Sequence, residues 1–102
     1  MPEFLTVATP ADLGEGDRIV VEAKGRYIAI FRVSDRYYAI EDVCTHDDGP
    51  LADGDLEGNV IACPRHGATF DITTGKALSL PAIAPVTRYE VRLENDEIQI
   101  KI

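Results

Sequence analysis

Near its C-terminal end the chain alternates apolar and polar residues without a break: Ile98, Ile100 and Ile102 against Glu97, Gln99 and Lys101. Successive side chains of a β-strand point to opposite faces, whereas a helix needs apolar residues every three or four positions. This stretch is therefore a strand with one face buried and one face wet. Tyr89, Val91 and Leu93 alternate in the same way with Arg88, Glu90 and Arg92, and Ile19, Val21 and Ala23 with Arg18, Val20 and Glu22. Tyr27 to Val33 is apolar at nearly every position, the pattern of a strand covered on both faces. Tyr37 to Ile40 continues in that style. Between these runs, Ala23-Lys24-Gly25-Arg26, Val33-Ser34-Asp35-Arg36 and Glu94-Asn95-Asp96-Glu97 have the composition of tight hairpin turns. Thr9 followed by Pro10-Ala11-Asp12-Leu13 suits a single helical turn. No long amphipathic helix is visible. The pattern predicts an all-β antiparallel sandwich or barrel.

The middle of the chain differs. From Val43 to Gly75 it is rich in Gly, Asp, Pro and Thr, and its apolar pattern is short and broken. Leu56-Glu57-Gly58-Asn59 reads as a turn between short strands. With 102 residues the chain fits a single domain, 1–102. Residues 43–75 are expected to form a loop-rich subdomain carried on a β base built by both flanks, rather than a separate folding unit.

Charge and hydropathy exclude several classes of function. Eighteen Asp and Glu against ten Lys and Arg give a formal charge of -8, the reverse of the basic patch a nucleic-acid binder needs. The same excess favours solubility and a partner with a basic docking face. No apolar run approaches the ~20 residues of a membrane span. Met1-Pro2-Glu3-Phe4 lacks the basic-then-apolar pattern of a secretory signal, so a cytoplasmic location is expected.

Both cysteines and both histidines of the chain fall in two short segments, Cys44-Thr45-His46 and, after sixteen residues, Cys63-Pro64-Arg65-His66. A disulfide between Cys44 and Cys63 does not suit a chain without an export signal, and metal binding is the better default. A single zinc ion takes ligand pairs two to four residues apart, so one spacer between Cys44 and His46 is awkward for one tetrahedral ion. Two metals resolve the spacing. If each loop sends its Cys to one iron and its His to the other, thiolates hold one iron and imidazoles the second. The alternatives are a structural zinc knuckle and a Cys/His pair that holds no metal. Asp47 and Asp48 are loop carboxylates explained by solvation or by docking of a partner, and beside a bound cluster their charge would lower its potential. Arg65 is either an exposed base or a contact to a partner. Gly49 and Gly67 suit close backbone approach to a bound group, and Pro64 restricts the backbone beside Cys63.

Cys44-Thr45-His46 through Gly49-Pro50-Leu51, with Cys63-Pro64-Arg65-His66-Gly67 and Phe70-Asp71, resembles the Rieske [2Fe–2S] family. The length resembles the stand-alone ferredoxins of ring-hydroxylating oxygenase systems. The resemblance implies a Rieske-like fold with a cluster-binding subdomain and one [2Fe–2S] cluster on Cys44, His46, Cys63 and His66. It also implies that the histidine edges are partly exposed and that Leu80-Pro81-Ala82-Ile83-Ala84-Pro85 is a loop covering the cluster. Its implied function is one-electron transfer from a flavin-dependent ferredoxin reductase to a terminal oxygenase or another acceptor. The alternatives are a small subunit of a multi-subunit reductase, as in nitrite reductase, and an iron–sulfur accessory module. Neither Gly-x-Gly-x-x-Gly nor a third histidine for mononuclear iron is present. The chain is therefore expected to be an electron-transfer component and not an enzyme by itself.

Two departures from the family bear on redox tuning. High-potential members carry a second cysteine pair, at the places of Gly49 and Arg65 here, and hydroxyl donors at the places of Ala68 and Phe70. Fewer donors to the sulfurs stabilise the reduced cluster less. A potential of roughly -150 mV, at the low end of the Rieske range, is expected.

Overall fold

The computed structural model describes residues 3–43, 50–65, 67–80 and 84–102. Ten strands are present among them: β1 (Phe4–Ala8), β2 (Arg18–Ala23), β3 (Arg26–Val33), β4 (Arg36–Glu41), β5 (Leu56–Glu57), β6 (Val60–Ala62), β7 (Thr69–Asp71), β8 (Arg88–Tyr89), β9 (Val91–Glu94) and β10 (Glu97–Lys101). The only helical element described is a 3-10 turn, Pro10–Asp12. There the backbone N–H and the hydroxyl of Thr9 both donate to the Asp12 carboxylate, at 3.0 and 3.1 Å. Among the described residues no helix is long and apolar enough to cross a membrane.

All strand pairs are antiparallel and fall into three sheets, ordered β1-β10-β9, β2-β3-β4-β8 and β5-β6-β7. The three expected hairpins are present. Ala23 pairs with Arg26, Val33 with Arg36, and Glu94 with Glu97. Both central residues of each turn lie at positive φ: Lys24 and Gly25, Ser34 and Asp35, Asn95 and Asp96. That is the mirror-image turn whose twist matches the flanking strands. Four of these positions need the left-handed region of short polar side chains, and at Ser34-Asp35 a neighbour supports it. The Glu15 carboxylate accepts both turn N–H groups, at 2.8 and 3.0 Å.

The central sheet is covered on both faces, and β3 shows why its sequence lacks alternation. Ile28 and Ile30 pack with Ala39, Leu13, Tyr89, Ile98 and Ile100 in a base core against the β1-β10-β9 sheet. Ala29 and Phe31 point the other way, into a core shared with Ile40, Leu51, Ile61, Phe70 and Ile72. Each large apolar side chain fully buried here contributes about 1.5–3 kcal/mol of transfer free energy. The segment that carries the loops is therefore joined to the base through one continuous apolar contact. Tyr27, at the start of the same strand, stays exposed.

One expectation changes. The alternating run from Arg88 to Leu93 is not one strand with one buried face. Arg88–Tyr89 belongs to the central sheet and Val91–Glu94 to the β1-β10-β9 sheet, with Glu90 at the corner. Tyr89 is buried, Val91 packs at the margin of the base core, and Leu93 is 52% exposed. After the corner the strand follows an edge and outruns the core beneath it.

Candidate metal centre

Three backbone devices hold the loops that carry the candidate ligands. The first fixes the ends of the loop after β4. Glu41 N–H donates to the Thr87 carbonyl and Asp42 N–H to the Tyr27 carbonyl, both at 2.8 Å. The Asp42 Oδ1 then accepts the N–H groups of Leu51 and Ala52, each at 2.8 Å. A single carboxylate thus ties the exit of residues 43–50 to their entrance. Arg18, from β2, donates to the carbonyl of Ala52 at 2.9 Å and also to that of Gly54. Gly54 has no alternative, because a Cβ there would lie 1.7 Å from the Ala62 carbonyl oxygen.

The second device is the turn between β6 and β7. Ala62 pairs with Thr69, and the connection closes with Cys63 N–H donating to the Ala68 carbonyl at 2.7 Å. Gly67 N–H donates to the Cys63 carbonyl at 2.9 Å, with Gly67 at φ +75°, a conformation natural to glycine. Cys63 carries a free thiol, 2% exposed, packed into the core shared with β3. A groove of about 330 Å³ runs past it, bordered by Asp53, Asp55, Pro64 and Gly67.

The third device anchors the proline-containing segment at both ends. Leu78 N–H donates to the Thr69 carbonyl at 2.8 Å. The Ser79 hydroxyl lies 2.7 Å from that of Thr69 and accepts the Thr69 N–H at 3.1 Å. At the other end, Val86 N–H donates to the Gly75 carbonyl at 2.8 Å. Gly75 sits at φ +82°, and a Cβ there would be 2.3 Å from the Val86 oxygen. Leu80, where the segment begins, is 77% exposed.

Of the four expected ligands, Cys63 is placed as described. Cys44, His46 and His66 lie outside the described residues, as do Asp47, Asp48, Gly49 and Pro81. Among the described residues no three His, Cys, Asp or Glu side chains converge as a metal site. The donor chemistry of Cys63 fits a thiolate ligand: a free, buried sulfur on a turn fixed by two backbone hydrogen bonds. Ala68 and Phe70 are fully buried and have no side-chain donor. The hydroxyl between them in sequence, on Thr69, is engaged by Ser79. Among the described residues, the side chains with shifted pKa values belong to the base. Arg26 is held above its usual range chiefly by its hydrogen bond to the Tyr89 hydroxyl, and Arg32 chiefly by its bond to Asp35.

Sequence reasoning passed over Asp42, Arg18 and Ser79. Only Asp42 left a trace, as an acidic residue two places before Cys44 at the end of an apolar run.

The family model described as Rieske [2Fe-2S] domain matches residues 3–90. The ferredoxin component of the naphthalene 1,2-dioxygenase/salicylate 5-hydroxylase systems of Ralstonia sp is 40% identical over 99 residues, covering 97% of this chain and 95% of the relative. The ferredoxin of carbazole 1,9a-dioxygenase from Nocardioides aromaticivorans superposes with a TM-score of 0.90 at 32% identity, covering 97% of this chain and 95% of that one. A chain in the complex of reduced oxygenase and oxidized ferredoxin in carbazole 1,9a-dioxygenase matches at a TM-score of 0.90 and 36% identity, over 96% of this chain and 92% of that one.

Proposed function

Because the chain belongs to the Rieske [2Fe-2S] family, we propose that it is a one-electron carrier with one cluster on Cys44, His46, Cys63 and His66, passing electrons from a flavin-dependent reductase to a terminal ring-hydroxylating oxygenase. The observation that carries the reading is the state of Cys63, a free and buried thiol in the second of two Cys/His segments. The names of the relatives support the rest, since they are ferredoxin components of dioxygenase systems, and one matched structure is a complex of oxygenase and ferredoxin. Residues 43–75 serve as the cluster-bearing subdomain.

When bound, a Rieske cluster accepts and returns a single electron at a potential set by its ligands and their hydrogen bonds. The chain's residues do three things around it. Cys63 and Cys44 supply the thiolates, and His46 and His66 the imidazoles. Asp42, Arg18 and the Thr69–Ser79 pair tie the described ends of these loops to one another and to the β base. Ala68 and Phe70 offer no hydroxyl to the sulfurs, which supports a potential at the low end of the Rieske range, roughly -150 mV.

The test is a reductive titration of the purified protein followed by electron paramagnetic resonance, on the wild type and on Cys63→Ser. A mixed Cys/His signal at low potential, absent from the variant, is the expected result. Zinc in place of iron, with no signal, overturns the proposal.

A further inference from the structure

The central sheet ends at β2, and among the described residues no strand lies beyond it. The hairpin register shows which groups this edge presents. Ala23 and Arg26 close a two-residue turn and so exchange backbone hydrogen bonds, and the same holds for Val21 with Ile28 and Ile19 with Ile30. Arg32 N–H donating to the Asp17 carbonyl, at 3.1 Å, continues that parity. The N–H and C=O groups of Arg18, Val20 and Glu22 therefore point away from β3. The side chains of these three residues share one face of the sheet. On that face Val20 is 44% exposed and Tyr27, opposite Glu22, is 61% exposed. They are the exposed large apolar side chains of the central sheet, and both lie at this edge. Unpaired backbone groups beside exposed apolar side chains form a surface that another strand can cover.

The sequence of the edge selects the occupant. Arg18-Ile19-Val20-Val21-Glu22 is complementary to itself when two copies run antiparallel. With Val20 opposite Val20 of a second copy, Arg18 lies opposite Glu22 of that copy and Glu22 opposite its Arg18. Ile19 then meets Val21 on the other face. Directly opposite residues have Cβ atoms about 4.5–5.5 Å apart, within reach of an ion pair between the two charged side chains. Arg18 donates to the Ala52 and Gly54 carbonyls through Nη1, and its guanidinium carries further N–H donors on Nε and Nη2. Other registers lose this match. Centring the pair on Arg18 or on Glu22 sets like charges opposite each other, which is destabilising. Centring it on Ile19 or on Val21 sets Arg18 or Glu22 against Val20.

We propose that two copies of this chain pair edge to edge through β2, antiparallel about a two-fold axis at Val20, and join their central sheets into one. Each of the opposed pairs, Arg18 with Glu22 and Val20 with Val20, exchanges its backbone hydrogen bonds. A two-fold contact of this kind is closed, so assembly stops at the dimer. No residue of β2 belongs to the two Cys/His segments. The charge of -8 on each copy opposes the encounter, so the dimer is weak and forms at high protein concentration.

The experiment uses the full chain as purified and reads sedimentation equilibrium beside residue-resolved amide hydrogen exchange, from about 10 μM to about 1 mM protein. The expected result is a mass that rises from one chain toward two, with exchange at Arg18, Val20 and Glu22 slowing as the dimer fills. Ile19 and Val21, already bonded to β3, change little. Val20→Pro removes an outward N–H at an edge position where proline is tolerated, and weakens the dimer about tenfold. Glu22→Arg, at an exposed position that keeps the fold should proline bend the edge, sets Arg opposite Arg18 and weakens the dimer about tenfold as well. Glu57→Arg makes the same change in net charge at an exposed position on β5 and does not weaken it. Three results overturn the proposal: a single-chain mass throughout, exchange that slows at the β1 or β9 edge and not at β2, or a dimer as tight in Glu22→Arg as in the wild type.

Discussion

Replacing Asp42 with alanine removes the acceptor that closes the first ligand-bearing loop. Two N–H groups, on the buried Leu51 and Ala52, lose a partner at 2.8 Å each. Leaving a buried donor unsatisfied costs about 1–3 kcal/mol. Because the loop can move and admit water, the lower half of that range applies, or about 2–4 kcal/mol for the pair. This free energy falls on local opening of the loop before it falls on the whole domain. The Leu51 and Ala52 amides of Asp42→Ala should therefore exchange roughly thirty- to a thousandfold faster than in the wild type. Amides of β3, such as Ile30, should change far less. Asp42→Asn keeps a side-chain oxygen and should recover most of the protection. Amide hydrogen exchange read residue by residue makes the measurement. Unchanged exchange at Leu51 and Ala52 in Asp42→Ala would refute the view that this carboxylate holds the loop shut.

Three further outcomes are expected. Gly54→Ala places a Cβ against the Ala62 carbonyl and should cost about 3 kcal/mol, visible as a lower urea midpoint; a midpoint equal to the wild type would mean the turn yields freely. Ser79→Ala removes the partner of the Thr69 hydroxyl and N–H and should cost about 1 kcal/mol, with faster exchange at the Thr69 amide as its signature. Phe70→Tyr introduces a donor at a fully buried position beside the second ligand segment and should raise the midpoint potential by tens of millivolts, since a bond about 1 kcal/mol stronger in the reduced state is worth roughly 40 mV for one electron. Voltammetry showing no rise would separate Ala68 and Phe70 from redox tuning.

What the sequence makes legible is local. The period of two at Glu97–Lys101 survives because Ile98 and Ile100 face one core from the middle strand of their sheet. The three hairpins survive because two central residues fix their geometry. The apolar run Ile28–Phe31 within β3 reads correctly as burial on both sides. What the sequence hides depends on contacts between distant residues. Phe4–Ala8 is a strand only because β10, at the other end of the chain, pairs with it. The corner at Glu90 cannot be read from alternation, since Tyr89 and Leu93 fit one period while serving different sheets. At the site, the ligand pattern is visible in sequence because cysteine and histidine are rare and closely spaced. Its supports, Asp42 to Leu51 and Arg18 to Gly54, join common residues through backbone atoms that carry no sequence signal.

The two-sided burial of β3 also bears on how such a chain can drift in evolution. On β10 every second position lies outside the core and already carries a polar side chain, so a polar substitution there costs little. On β3, Ile28, Ala29, Ile30 and Phe31 offer no tolerant position, yet the four do not answer to the same neighbours. Ile28 and Ile30 can change only in step with Leu13, Ile98 and Ile100, while Ala29 and Phe31 can change only in step with Leu51, Ile61 and Phe70. One short strand thus answers to two separate sets of neighbours, and the half that faces the loops can be repacked while the half that holds the base stands still.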